Sequence, residues 1–334
     1  MGKIFTDVTR VLTYNAILNI VIGERGVGKS YSSKKYVIKH FLKTKKKFVY
    51  LRRYKTELKE SVPKFFDDLI LNKEFPDAKL KNEGNEFYCN DKLMGYALSL
   101  STAHILKSST FADVDTIIFD EFLIDKGCYH YLRNEVEQML DIIETIGRLR
   151  PIKVLMLGNA ISITNPYFSF FNLTLPHNTD IQTFKNGTIA LFYIDNEPYR
   201  EVKRASKFGE LIRGTNYEKY AIDNKFLRDS KTFIKKKPAS SKFYFTIVYN
   251  NKYYGVWVDV KSDMLYISYK YDPACPKVFT FRVDDHTFNS KMIKIGSNLF
   301  FKSFIDYFRY SKMCFESVQI KNNILELLSK YLTY

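Results

Sequence analysis

Residues 23 to 30 read Gly23-Glu24-Arg25-Gly26-Val27-Gly28-Lys29-Ser30, a complete GxxxxGK[ST] phosphate-loop pattern. Glycines allow backbone N–H groups to turn inward around phosphate oxygens, and a helix that starts there adds its dipole. Lys29 is spaced to reach the β- and γ-phosphates, and Ser30 to offer its hydroxyl to Mg²⁺. The pattern sits in the context it requires. An apolar strand, Ile17 to Ile22, comes before it and a helix-like stretch, Lys29 to Lys43, follows. The candidate nucleotide-binding segment is therefore Gly23, Glu24, Arg25, Gly26, Val27, Gly28, Lys29, Ser30 and Tyr31.

Further along, Thr116-Ile117-Ile118-Phe119-Asp120-Glu121 is a strand that ends in two carboxylates. In phosphate-loop enzymes an acid at this place, here Asp120, holds Mg²⁺ together with Ser30, and a neighbouring Glu121 polarises the attacking water. The 91 positions from Lys29 to Asp120 leave room for an extra strand between the two sheet elements, as in ASCE ATPases. The next apolar run, Lys153 to Gly158, ends at Asn159, where such enzymes sense the γ-phosphate. The preceding helix pattern, Glu135 to Arg148, spaces Val136, Met139, Leu140, Ile143 and Ile146 along one face. It closes on Arg148-Leu149-Arg150, so Arg148 is the candidate finger that stabilises transition-state charge in a neighbouring subunit, with Arg150 its rival. Arg25, inside the loop, is a further cation for the γ-phosphate or for the neighbouring subunit. No NKxD base-recognition pattern is present, so the nucleotide is read as ATP.

Alternation of short apolar strands with helices predicts an α/β domain, a phosphate-loop ASCE ATPase with a mostly parallel sheet, over residues 1–200. Glu86 to Tyr88 and Met94 to Leu100 read as a hairpin in it. Residues 201–237 are polar and basic and read as a connector or small helical subdomain. Residues 238–334 open with three strands, Phe243 to Tyr249, Tyr254 to Val260 and Met264 to Tyr271, separated by turn clusters, and end in helix patterns at Leu299 to Tyr310 and Val318 to Tyr331. That is a second, α+β domain.

Composition narrows the class. The chain has 334 residues, 46% hydrophobic, with 14 Gly and 9 Pro, which excludes disordered and collagen-like chains. No apolar window is long enough for a membrane span and the N-terminus lacks a signal-peptide pattern, so a soluble intracellular protein is expected. Cys89, Cys128, Cys275 and Cys314 are scattered without zinc-type spacing and are expected as buried thiols. The formal charge of +16 favours a polyanionic partner. It is concentrated: Lys34 to Lys64 holds twelve basic and two acidic residues, and residues 201–250 hold twelve and five.

The segments GERGVGKSY, FVYLRRYK, TIIFDEF, ETIGRLR, GNAISITNPYF and SKFYFTIVYNNKYYGVWVDV resemble the DNA-packaging ATPases of phi29-like tailed phages, over nearly the whole chain. The resemblance implies a homo-oligomeric ring, usually of five subunits, that acts in the host cytoplasm. Such a ring docks on the portal of a procapsid with a structural packaging RNA, and drives double-stranded viral DNA inward with ATP and Mg²⁺. It also implies that the second domain is RNase H-like, derived from a terminase nuclease that no longer cuts. The residues agree: the strand Phe243 to Tyr249 carries no acid, and Asp259, Asp263, Asp272, Asp284 and Asp285 fall mostly at turns. Arg53, Lys55 and Lys107 are the candidate DNA contacts of the ATPase domain, Lys107 within a Ser/Thr-rich loop. Lys242, Lys252 and Lys270 are candidates for DNA or RNA phosphates in the second. The competing readings are a terminase-like ATPase with a live nuclease and a nucleotide-gated assembly protein that binds nucleic acid without moving it.

Overall fold

Every residue of Leu18–Gly23 (β1) is buried, as a strand covered on both faces must be. Its side chains alternate between two cores, Val21 facing one and Ile20 and Ile22 the other. The structure, a computed structural model, describes residues 5–102, 111–124, 131–159, 165–176, 179–215, 218, 233–293, 299–310 and 312–329. After β1 come α1 (Lys29–Thr44), β2 (Lys47–Arg52), α2 (Lys55–Ser61) and α3 (Asp67–Leu71). An antiparallel edge follows, β3 (Leu80–Glu83), β4 (Glu86–Cys89) and β5 (Lys92–Ser99), which contains the expected hairpin. Next are β6 (Val114–Asp120), α4 (Glu135–Gly147), β7 (Lys153–Asn159) and α5 (Pro166–Phe171), then β8 (Ile181–Phe184), β9 (Ile189–Tyr193), α6 (Glu197–Arg204) and α7 (Lys207–Ile212).

The nine strands lie in the order β3-β4-β5-β2-β6-β7-β1-β9-β8, parallel from β5 through β9. An extra strand does sit between β1 and β6, but it is β7, which follows Asp120 in the chain and so does not come from the 91 residues before it; β7 pairs with β1 on one side and β6 on the other. Register then sets the site: Gly23 lies opposite Asn159 and Asp120 opposite Leu157, so the loop, the acid pair and the asparagine emerge at one carboxyl edge. On one face α1 packs Val37, Ile38 and Phe41 against an aromatic cluster of Phe48, Tyr50, Phe65 and Phe87. On the other, α4 buries Val136, Met139, Ile142 and Ile146 beside Tyr167 and Phe168. Ile142 takes the fully buried place that the spacing assigned to Ile143, which is only partly buried.

The β8–β9 hairpin was not among the expected strands, although its turn is legible. Lys185, Asn186 and Gly187 all adopt positive φ, and Asn-Gly between apolar runs is the usual signature of such a turn. The helix start at α6 is equally legible, because Asn196 accepts the N–H of Tyr199 and a proline lies in the first turn.

The second unit is built on β10 (Lys242–Tyr249), β11 (Lys252–Asp259) and β12 (Met264–Ser268), the expected antiparallel meander. β13 (Val278–Thr280) adds parallel to β10, β14 (Lys291–Met292) parallel to β13, and β15 (Met313–Phe315) parallel to β12. Counted within this unit, the first five strands lie in the order 3-2-1-4-5, the order of an RNase H-like sheet. Helices Leu299–Arg309 and Val318–Ser329 supply Phe301, Phe304, Ile320, Ile324 and Leu327 to its core.

The chain divides into compact units at 1–228 and 229–334, not at 200 and 237. The expected boundary at 200 is corrected: it cuts through α6, whose Arg200 is bonded to the phosphate loop. Cys89 and Cys314 are buried free thiols, Cys275 is only half-buried, and Cys128 lies outside the described residues. Among the described residues no helix is long and apolar enough to cross a membrane.

Candidate nucleotide site

The loop's shape follows from its glycines. Gly26 and Gly28 sit at φ 95 and φ 90, a backbone region that side chains with a Cβ avoid. At Gly26 a Cβ would also lie 2.2 Å from the Tyr199 hydroxyl. That hydroxyl donates to the carbonyl of Arg25 at 3.2 Å, so α6 packs directly on the loop. Below it, Glu24 turns inward: its carboxylate is 1% exposed and accepts Nη1 of Arg200 at 2.8 Å. Burial pushes the Glu24 carboxyl up, against the opposing charge of Arg200.

Lys29 is buried, and its ammonium donates to the carbonyls of Gly23 (3.0 Å) and Glu24 (2.7 Å) and to Oδ1 of Asn159 (3.2 Å). Desolvation pulls it down to about 8, while Asp120, Glu24 and Glu121 pull the other way. A desolvated cation at the head of a helix is a receptor for anions. Asn159 is thus brought to the lysine that the motif assigns to phosphate. Tyr31 instead faces away along α1, donating to Glu74 at 2.6 Å; burial and that bond push its phenol up to about 12. The Arg25 side chain is exposed.

Ser30 Oγ donates to Oδ1 of Asp120 at 3.0 Å, and Tyr50 donates to Oδ2 at 3.4 Å. Burial raises the Asp120 carboxyl, with Arg52 opposing. A buried carboxylate beside a hydroxyl is an oxygen-donor pair that suits a hard cation such as Mg²⁺, which would offset that desolvation. Glu121 follows, with φ 56, its N–H on Oδ1 of Asp120 and its carboxylate 57% exposed. Arg52 reaches it at 2.6 Å, and also lies 3.3 Å from Glu57 and 3.9 Å from Asp120. Lys29, Ser30, Asp120, Glu121 and Asn159 therefore share one edge. Sequence reading missed Arg52, Tyr50, Tyr199 and Arg200 around them.

A family model described as Podovirus DNA encapsidation protein (Gp16) matches residues 1–332. The chain belongs to that family. Its relatives include the DNA packaging protein of Bacillus phage phi29, 38% identical over 330 residues that make up 98% of each chain. A solved chain of the bacteriophage phi29 viral genome packaging motor assembly aligns with a TM-score of 0.77 at 38% identity, covering 98% of this chain and 99% of that one. The N-terminal domain of the DNA packaging ATPase from bacteriophage phi29 aligns at 40% identity with a TM-score of 0.53, covering 57% of this chain and 97% of that one.

The remaining candidates of this Gp16-family chain separate. Arg148 caps α4 with its backbone and is exposed, at the end of the sheet where β7 begins. Seven strand residues, about 20 Å, lie between it and the phosphate loop of its own chain. Arg150 does not share that freedom, because its guanidinium donates to the carbonyls of Phe111 (2.8 Å), Ala112, Val114 (3.3 Å) and Ile146 (2.5 Å). Lys55 is exposed at the start of α2, and Lys107 lies outside the described residues. Arg53 corrects the expectation of a DNA contact: it is 2% exposed and bonded to Glu135, Glu121 and Phe122. Consecutive residues at a strand end point to opposite faces, so Arg52 joins the site and Arg53 the core. In the second unit Lys242 and Lys270 are exposed and Lys252 is half-buried.

Proposed function

We propose that the chain is a viral DNA-packaging ATPase that couples ATP hydrolysis to movement of double-stranded DNA into a procapsid. The observation that carries this reading is the convergence of Lys29, Ser30, Asp120, Glu121 and Asn159 at one edge of the sheet, within a family named for DNA encapsidation. Bound Mg·ATP supplies the β–γ phosphoanhydride that is broken. Lys29 and the loop amides hold its phosphates, and Ser30 with Asp120 hold the metal. Glu121 takes the proton of the attacking water, and Asn159 shares Lys29 with the γ-phosphate. Arg148 completes the site of a neighbouring subunit, since its own loop is out of reach, and this makes a ring the working unit. The ring docks on the portal with packaging RNA in the host cytoplasm.

Lys55 and Lys107 in the first unit, and Lys242, Lys252 and Lys270 in the second, bind nucleic-acid phosphates without reading sequence. The second unit does not cut. Asp259 is held by Ser240 and Ser262, Asp263 by Tyr307 and Lys312, and Asp285 by the N–H groups of Asn250 and Asn251. Mid-strand in β10, Thr246 is buried and offers no carboxylate.

Steady-state ATP hydrolysis by the wild type and Glu121→Gln, each with and without duplex DNA, tests the reading. DNA-stimulated turnover, abolished by Glu121→Gln with nucleotide binding intact, is the expected result. No turnover by the wild type under assembly conditions would reduce the loop to a binding device and end the motor reading.

A further inference from the structure

Glu121 stands in the left-handed region at φ 56, where a residue with a Cβ is held only if its surroundings insist on it. Its own N–H is taken by Asp120, and the N–H of Phe122 by the carbonyl of Leu157 at 3.1 Å. The two carbonyls that follow are taken by one guanidinium. Arg53 donates Nη1 to the carbonyl of Glu121 (3.3 Å) and Nη2 to that of Phe122 (2.5 Å). We propose that Arg53 and Glu135 form a buried clamp that sets the backbone of Glu121 and so aims its carboxylate at the attacking water.

The guanidinium has no freedom to do anything else. Glu135 receives Nε at 2.8 Å and Nη2 at 3.0 Å, a two-pronged pair whose partners are both 2% exposed. Phe119 and Tyr131 flank the cation at 5.8 and 5.0 Å. Glu135 is fixed in turn by the N–H of Leu132 (2.8 Å) and the hydroxyl of Tyr167 (2.6 Å). A buried ion pair is seldom more stabilising than two apolar side chains of the same size. Only a planar, multi-donor cation, however, can bridge a carboxylate and two successive carbonyls. Arg52 and Arg53 thus hold the same residue from opposite faces of the strand end, one by its carboxylate and one by its backbone.

The proposal rests on Glu121 as the residue that activates water, and its test separates the two claims. Arg53→Lys keeps the charge but cannot span all four acceptors. In the full-length chain it is expected to lower kcat 10- to 100-fold while the Kd for a fluorescent ADP analogue stays within threefold. In a Glu121→Gln background the same substitution is expected to change residual phosphate release less than twofold, because its target is gone. An equal loss of kcat in both backgrounds, an unaltered kcat, or a Kd that moves as far as kcat would overturn the clamp. Wild-type turnover by Glu121→Gln would instead overturn the assignment of Glu121, and the clamp with it. If Arg53→Lys does not fold, as read by thermal melting, Tyr167→Phe removes a single bond from Glu135. A three- to tenfold loss of kcat at constant Kd supports the clamp, and no loss refutes it.

Discussion

Replacing Arg200 by alanine leaves the Glu24 carboxylate inside the phosphate loop without its cation. Only Nη1 of Arg200 reaches that carboxylate; its other partners, Asp195 and Glu197, are at least half exposed and can return to water. Glu24, 1% exposed, cannot. Its cheapest escape is to take up a proton, so the cost of the substitution is bounded by the cost of protonating a carboxyl whose ordinary value is 4.5. At about 1.4 kcal/mol per pH unit, that is about 3.5 kcal/mol at pH 7 and about 1.4 kcal/mol at pH 5.5. Lys203, whose charge also lies near Glu24, makes both figures upper bounds. The sign follows from linkage: a carboxyl raised in the folded state binds more protons than in the unfolded chain, so the variant regains stability as pH falls. Urea unfolding of wild type, Arg200→Ala and Glu24→Gln/Arg200→Ala at both pH values measures it. The double variant should recover most of the loss and be nearly pH-independent. A loss equal at pH 7 and 5.5, unrelieved by Glu24→Gln, would refute the argument.

Three further outcomes follow from the site. Lys29, pulled down to about 8 by burial, should regain a full proton when a polyphosphate restores favourable charge. ATP binding at pH 8 is therefore expected to take up about half a proton, read by calorimetry in buffers of different ionisation enthalpy; zero uptake would contradict the desolvated lysine. Arg150→Ala removes a guanidinium donor from four carbonyls, of which that of Phe111 keeps the N–H of Val114, and should cost about 2–3 kcal/mol, whereas Arg148→Ala should stay within about 0.5 kcal/mol of wild type yet stop turnover of the assembled ring. Identical stabilities for the two would undo the division of roles. Gly26→Ala suffers both a positive φ and the Tyr199 hydroxyl, so it should lose nucleotide binding, and Tyr199→Phe should restore it only in part. Full restoration would mean that φ is not a constraint, and none that the hydroxyl is not the obstacle.

How much of this was legible depended on whether the chemistry was local. The phosphate loop, Asp120-Glu121 and the polar end of β7 are each contained in a few consecutive residues, because a strand followed by a turn delivers its tip to one edge wherever the strand sits. The Asn-Gly turn of β8–β9 and the Asn196 helix start carry local signals too. Arg53 could not be assigned locally. Arg52 and Arg53 are neighbours of the same type, and which one enters the core depends on the pleat of β2 against β6 and on Glu135, 82 residues away.

The amino-acid sequence by itself determined the loop, the acid pair, the α/β class and the antiparallel meander, since each follows from short-range periodicity and turn chemistry. Tertiary structure alone decided that α6 belongs to the phosphate loop and that Arg150 is a brace while Arg148 is exposed. It also decided that one arginine holds the Glu121 carboxylate and the next its backbone. Those outcomes depend on which buried charge meets which partner across distant segments. The cost of leaving such a charge unpaired is what selects the arrangement, and no local pattern records it.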